Sequence, residues 1–298
     1  MTPCSGSSTP GPGADSVLHR YAAFLVDVDG VLTHGRDALP GAVGGLAALR
    51  AFGRPLVLTN NSTRGRDELA QHLRSLGFVV SPEEVLGSAF LAARYLTLHF
   101  GPSIVWTLGE DGIRREMELA GHQLAARPEE AAWVVVGMDR HLTYEKLAHA
   151  LRALVGGARV LATNEDATFP TPAGLVPGAG ALVGALRGMG FPPDRVVGKP
   201  STAAYEVALD VLGLAPDRVL MIGDRLDTDI AGAQAAGLDS ALVLTGVSTL
   251  ADVDRCGVRP TWVAASFAEL CQGRAWPANE DRAGLAPAAC RSSREGQP

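Results

Sequence analysis

Short apolar strings, each ending in polar or glycine residues, alternate along this chain with stretches of helical periodicity, and no other feature narrows the available folds as much. Phe24-Leu25-Val26, Leu56-Val57-Leu58, Arg195-Val196-Val197 and Val219-Leu220-Met221-Ile222 read as strands. Between the first two, Val43, Leu46 and Leu49 form a helical stripe. After the second, Leu69, Leu73 and Leu76 repeat the i, i+4, i+7 spacing, and Gly77 supplies a stop. This βαβα run is the signature of a parallel sheet flanked by helices, so the fold class is α/β. Ser81-Pro82-Glu83-Glu84 carries a capping residue, a proline at the first helical position and a glutamate three residues after the cap, which predicts a further helix start.

The alternation continues through Ile104-Val105-Trp106, residues 133–136 and residues 159–162, with helices around residues 113–119 and 144–154. These elements either extend the first sheet or build a second domain. After about Gln272 the periodicity stops and Pro, Ala, Arg and Ser dominate, which predicts a loosely packed tail over residues 272–298. Residues 1–15 are rich in Ser, Pro, Gly and Thr, lack a basic start and an apolar run, and read as a flexible tail rather than a secretory signal.

Composition excludes several classes. Hydrophobic residues are 47% of the 298 and charged residues 19%, ample for a packed core. Lys and Arg number 26 against 32 Asp and Glu, a net charge of -6, so no cationic field gathers nucleic acid or an anionic membrane. The apolar strings, such as residues 131–136, fall far short of the roughly 20 residues that span a bilayer. Cys4, Cys256, Cys271 and Cys290 have neither zinc-site nor disulfide-scaffold spacing, and a reducing, cytoplasmic setting is expected.

Chemistry-bearing residues sit where such a fold places ligands, at the carboxyl ends of the strands. Asp27-Val28-Asp29-Gly30 follows the first strand directly. Two carboxylates at this spacing can divide the labour, one attacking phosphorus while the other protonates the leaving oxygen and then activates water; either aspartate alone also suits a strand-end turn. Thr59-Asn60-Asn61 ends the second strand and offers a hydroxyl and loop amides to a phosphate, although Asn-Asn is equally ordinary turn chemistry. Gly198-Lys199-Pro200-Ser201 sets a lysine just before a helix, where it can meet an anion or stand as a plain surface cation. Asp224, Asp227 and Asp229 crowd three carboxylates into six residues, a repulsion that a hard cation such as magnesium relieves; Thr228-Asp229 could also cap the following helix.

Taken in order, Asp-x-Asp-Gly, strand-Thr-Asn-Asn, Gly-Lys-Pro and Gly-Asp-(x4)-Asp resemble the haloacid dehalogenase-like hydrolases. The long insert between Thr59 and Lys199 resembles the capped branch that holds nitrophenyl-, phosphoglycolate-, glycerol-phosphate and pyridoxal-phosphate phosphatases. Val136-Gly137-Met138-Asp139, Ala162-Thr163-Asn164 and Pro177-Gly178-Ala179-Gly180 add to the likeness, which covers residues 21–270. It implies a Rossmann-like core from residues 16–101 and 193–271 with an α/β cap inserted at 102–192.

By that resemblance Asp27 is the nucleophile and Asp29 the acid/base; Thr59, Asn60 and Lys199 hold the phosphoryl group. Asp27, Asp224 and the backbone carbonyl of Asp29 bind magnesium, with Asp229 behind them. Substrate choice falls to the cap, chiefly to the loop 164–177 with Asn164, Asp166 and Phe169, and to Met138. The pyridoxal-phosphate branch usually carries Tyr and His at the positions of Met138 and Phe169, which weighs against that activity. The implied function is a magnesium-dependent phosphomonoesterase acting through an aspartyl-phosphate on a small phosphorylated metabolite, with phosphoglycolate or glycerol phosphate favoured and a homodimer allowed. The alternatives are a sugar- or nucleotide-monophosphate phosphatase and, in another class, a signalling module that retains a phosphoryl group on Asp27. Asp29 argues against the last, because a second acid supplies what hydrolysis of the acyl phosphate needs.

Other signals fail on spacing. Gly178-Ala179-Gly180 follows a proline-rich loop rather than a strand, Gly198-Lys199 lacks the rest of a phosphate-binding P-loop, and the seven histidines are dispersed, His34 being expected at the surface.

Overall fold

The first strand, Ala23–Val26, lies at the centre of a seven-stranded sheet and pairs in parallel with Arg54–Thr59 on one side and Val219–Gly223 on the other. The computed structural model describes residues 16–171 and 173–278. From the centre the chain first builds outward through Arg54–Thr59 to Val85–Gly87. It later returns on the opposite side through Val219–Gly223, Asp239–Val243, Trp262–Ala264 and Trp276–Pro277. Strand order therefore reverses at Ala23–Val26, and the carboxyl ends of the three central strands frame the crevice where open α/β sheets bind ligands.

Burial on both faces explains why these strands are so apolar. Leu25, Leu56, Leu58 and Met221 point to one face, where Leu91, Leu96 and Tyr205 cover them. Phe24, Val26, Val57 and Ile222 alternate to the other, against Leu46, Leu49, Leu69 and Phe267. The helical stripes lie on helices Ala42–Leu49 and Arg66–Ser75, and Gly77 ends the second at a φ of 94°.

A second sheet of five parallel strands has the order Arg195–Val196, Arg159–Ala162, Trp133–Val136, Ile104–Leu108, Gln123–Leu124. One face is covered by helices Tyr144–Val155 and Ala179–Gly188 through Ala150, Leu154, Leu182 and Leu186. From the other, Trp133, Val135 and Leu161 enter the same apolar cluster as Leu25 and Met221. Among the described residues no helix is long and apolar enough to cross a membrane.

Three expectations need correction. The capping box at Ser81 closes only the turn Pro82–Glu84, and the next helix starts at Ser88. Val85 and Leu86 are buried as an edge strand beside Val57 and Leu58, so tertiary pairing overrides the local helix signal. Arg195–Val196 pairs with Arg159–Ala162 in the second sheet, so that sheet runs past residue 192 and ends where Gly198 turns the chain toward Lys199. Trp276–Pro277 is an antiparallel edge strand, with Pro277 opposite Trp262, so the packed chain continues beyond residue 271. An edge position accommodates a proline, which has no N–H to donate. The expected tail at 1–15 and the part of the expected 272–298 tail beyond residue 278, with Cys4 and Cys290, lie outside the described residues.

Candidate active site

Asp27 continues the central strand by donating its N–H to the Ile222 carbonyl at 2.9 Å, which fixes its buried side chain at the crevice. Behind Asp29 the chain turns tightly: Val28 accepts from the N–H groups of Val31, Leu32 and Thr33, and Gly30 sits at a φ of 82°. A side chain at Gly30 would also come within 2.4 Å of Asp224 Oδ2. The glycine serves both the turn and the approach of two acidic segments.

Lys199 arrives from the segment that leaves the second sheet. Its buried Nζ lies 2.6 Å from Asp27 Oδ1 and 2.7 Å from Asp229 Oδ1. Burial acts to lower the lysine pKa, but Asp229 and Asp27 outweigh it and hold the ammonium charged. Burial drives the Asp27 carboxyl well up, with Asp229 and Asp224 adding to the rise, and Lys199 is the cation pulling it down. Asp29 keeps access to solvent, yet the protein packed around its carboxyl pushes its pKa up, against the pull of Lys199, His72 and His34. Burial raises both carboxyls, and what separates them is contact: Asp27 is ion-paired with Lys199, whereas Asp29 is open to solvent.

Asp27, Asp224 and Asp229 bring carboxylate oxygens within 4.8 Å of one another. Both oxygens of Asp229 are engaged, one by Lys199 and the other by the Arg225 N–H at 3.1 Å, so it does not cap the following helix. Asp224 differs. Its Oδ2 accepts from the Val247 N–H at 2.8 Å, while its buried Oδ1 has no partner. Burial, then Asp229, pushes its carboxyl up to about 6. A buried carboxylate oxygen left unpaired is costly, and an all-oxygen cluster of this charge suits a hard divalent ion such as magnesium.

Thr59 ends its strand buried beside the Asp27 strand, its Oγ1 accepting from the Asn61 N–H at 3.3 Å. The Asn60 side chain bonds both the N–H and the carbonyl of Lys199, which commits its amide to the protein. Asn164 is buried, and its amide donates to Asp166. Met138 is buried where the second sheet meets the first, its N–H donating to Ser62 Oγ at 3.3 Å. Phe169 is half-buried on an antiparallel hairpin, Thr168–Thr171 with Gly174–Pro177, rather than in an irregular loop, and pairs across it with Val176.

Residues 245–248 belong to the site although no motif marks them. Thr245 Oγ1 donates to the Gly30 carbonyl at 2.6 Å, and the Val247 and Ser248 N–H groups hold Asp224. A Cβ on Gly246 would lie 1.9 Å from Asp224 Oδ2. The one sequence signal is Thr-Gly just past the strand Asp239–Val243. Gly246→Ala is expected to cost about 1–3 kcal/mol in urea unfolding, because the methyl must displace a buried carboxylate. Gly44→Ala, in an exposed helical position where a Cβ meets nothing within 4 Å, should instead gain roughly 0.5–1 kcal/mol. Equal stability of the two variants would remove the steric account.

Comparison with known proteins agrees with this architecture. Residues 24–123 match the family model described as haloacid dehalogenase-like hydrolase, and residues 177–270 match the HAD-hydrolase-like model. An acid sugar phosphatase of Staphylococcus aureus (strain USA300) is 36% identical over 254 residues, covering 85% of this chain and 96% of that protein. The chain belongs to the haloacid dehalogenase-like hydrolases.

Within that family it is a phosphatase of the capped branch. The p-nitrophenyl phosphatase from Archaeoglobus fulgidus superposes with a TM-score of 0.79 at 37% identity, covering 85% of this chain and 98% of that one. A glycerol phosphate phosphatase from Mycobacterium tuberculosis, solved in complex with magnesium, gives 0.79 at 38% identity, covering 86% and 78%. That protein has also been solved with calcium.

Proposed function

We propose that this haloacid dehalogenase-like hydrolase is a magnesium-dependent phosphomonoesterase acting through an aspartyl-phosphate on Asp27. The observation that carries it is the pairing of a buried, lysine-bound Asp27 with the unpartnered Oδ1 of Asp224, a nucleophile next to an uncommitted oxygen donor. Asp27, Asp224 and the backbone carbonyl of Asp29 would hold the magnesium, with Asp229 behind them orienting Lys199. When bound, the ion offsets the mutual repulsion of carboxylate and phosphate.

Asp27 then attacks phosphorus in line while the ester P–O bond breaks, and Asp29 gives its proton to the leaving oxygen. Asp29, now ionised, takes a proton from water as that water attacks the acyl phosphate, releasing inorganic phosphate and restoring Asp27. Thr59 and Lys199 steady the phosphoryl oxygens through both steps.

A cleft of about 520 Å³ opens beside Lys199, lined among others by Glu165, Arg225, Asp227 and Thr228. Of its two lining cations, Lys199 is taken by the phosphoryl group and Arg225 is paired with Asp227 at 2.8 Å, so a second anionic group would find no free cation in this lining. This favours an uncharged polyol leaving group, as in glycerol phosphate, over phosphoglycolate. The names of the relatives, one acting on sugar phosphates and one on glycerol phosphate, support the same choice and keep a sugar monophosphate as the second reading.

The test is kcat/KM across p-nitrophenyl phosphate, glycerol phosphate, phosphoglycolate and sugar monophosphates. Phosphoglycolate as the best substrate would overturn the polyol reading. Chelation is expected to abolish turnover, magnesium to restore it and to raise the melting temperature, and calcium to restore little, its looser shell disturbing the attack geometry. Full turnover in EDTA after metal stripping would remove the metal from the reading.

A further inference from the structure

The carboxylate of Asp166, expected among the residues that choose the substrate, is instead the first link of a chain that ends on the nucleophile. Two amides converge on its Oδ2, Nδ2 of Asn60 at 3.0 Å and Nδ2 of Asn164 at 2.6 Å. Asn60 in turn clasps one residue from both sides: its Oδ1 accepts from the Lys199 N–H at 2.8 Å, and its Nδ2 donates to the Lys199 carbonyl at 2.9 Å. The Lys199 ammonium then reaches Asp27 and Asp229.

We propose that Asp166 is a positioning residue, which fixes the Asn60 amide and through it the backbone from which Lys199 reaches Asp27. This rests on the phosphatase reading above. An ionised carboxylate only accepts, so it compels the NH2 side of Asn60 to face it and leaves the amide oxygen for the Lys199 N–H. A flipped amide would set donor against donor. Lysine needs such a frame, because its ammonium is a point charge on a four-carbon stem with little orientation of its own.

The anchor is itself held. The Asp166 carbonyl accepts from the Gly180 N–H at 3.0 Å, and the Gly198 N–H donates to the Thr163 carbonyl at 2.7 Å, tying the lysine segment to the strand end beside Asp166. A Cβ on Gly198 would fall 2.7 Å from Asn60 Oδ1 and 2.8 Å from Asn164 Cβ, so the close approach depends on that glycine. The latch thus joins residues on the first sheet, the second sheet and the segment between them.

Because both amides share one oxygen, asparagine can take the place of Asp166, whereas a role in holding charge, toward Arg225 or substrate, would not survive that exchange. The full-length, magnesium-loaded enzyme and its Asp166→Asn and Asp166→Ala variants are compared on p-nitrophenyl phosphate and glycerol phosphate, with hydrogen exchange at the Lys199 amide as a second readout. Asp166→Ala is expected to lower kcat by about 10- to 100-fold, equally for both esters, with KM within about twofold. Its Lys199 amide should exchange at least about tenfold faster, and Asp166→Asn should stay within about threefold of wild type throughout. Asp166→Ser, too short to reach Asn60, replaces the alanine variant if that one does not fold.

The proposal is overturned if asparagine is as damaging as alanine, if the two esters respond unequally, or if the Lys199 amide is unchanged. Failure of the wild-type enzyme to hydrolyse either ester would sink the phosphatase reading instead, and the exchange measurement would still test the latch.

Discussion

Replacing Asp27 with asparagine is expected to lower kcat by at least about 10³-fold, roughly 4 kcal/mol of barrier, without lowering the melting temperature. Asparagine fills the same volume and still offers an oxygen to Lys199 Nζ, which lies 2.6 Å from Asp27 Oδ1. What disappears is the anion that attacks phosphorus. The stability half of the expectation follows from the crowding of Asp27, Asp224 and Asp229 within 4.8 Å, where burial and the neighbouring carboxylates already oppose ionisation of Asp27. Removing one of three mutually repelling charges should not loosen the fold. Turnover of p-nitrophenyl phosphate and a thermal melt on the same preparation separate the alternatives. A strand-end aspartate serving only the turn would give a less stable protein with normal kcat.

Asp27 and Asp224 are legible in the sequence because each stands directly after a run of residues that can only be a buried strand. Ala23–Val26 and Val219–Gly223 are buried throughout, and a parallel sheet with both faces covered leaves no other place for such strings. Hydrophobic pattern alone therefore puts Asp27 and Asp224 at strand ends. Lys199 is placed by the Gly-Lys-Pro motif, although the short strand before it belongs to the second sheet. The Asn60 clasp is not legible. It joins residues 139 apart in sequence, and Asn-Asn after a strand carries the same local signal whether it caps a turn or grips a distant peptide.

The remaining misreadings have the same origin in contacts distant along the chain. Ser81 and Glu84 do form a capping box, but the residues that follow are claimed by the sheet edge. Trp276–Pro277 has no periodicity to detect in two residues, and only its pairing with Trp262–Ala264 makes it a strand. Gly246 is one glycine among 35, distinguished by the 1.9 Å that separates its missing Cβ from Asp224. Local pattern identifies elements that bury themselves; it is silent about residues whose importance is the space they leave.

Lys199→Met should affect stability and catalysis together, in contrast to Asp27→Asn. Methionine matches the stem of lysine but leaves Asp27 and Asp229 buried with no cation in contact, and loss of one partner from a buried ion pair typically costs about 3–5 kcal/mol. With the ammonium gone, the cation that pulls the Asp27 carboxyl down is lost and burial pushes it further up, so the nucleophile is held less firmly as an anion, and the cation that steadies the phosphoryl oxygens is lost as well. A fall in kcat of at least about 10³-fold is therefore expected even in the fraction that remains folded. Urea unfolding measures the first effect, and turnover normalised to folded protein measures the second. Adding Asp27→Asn to Lys199→Met should restore part of the lost stability, because it removes one of the stranded charges, while turnover stays abolished. A double variant less stable than Lys199→Met alone would show that Asp27 is not ionised against Lys199, and the charge balance assigned to the site would fall with it.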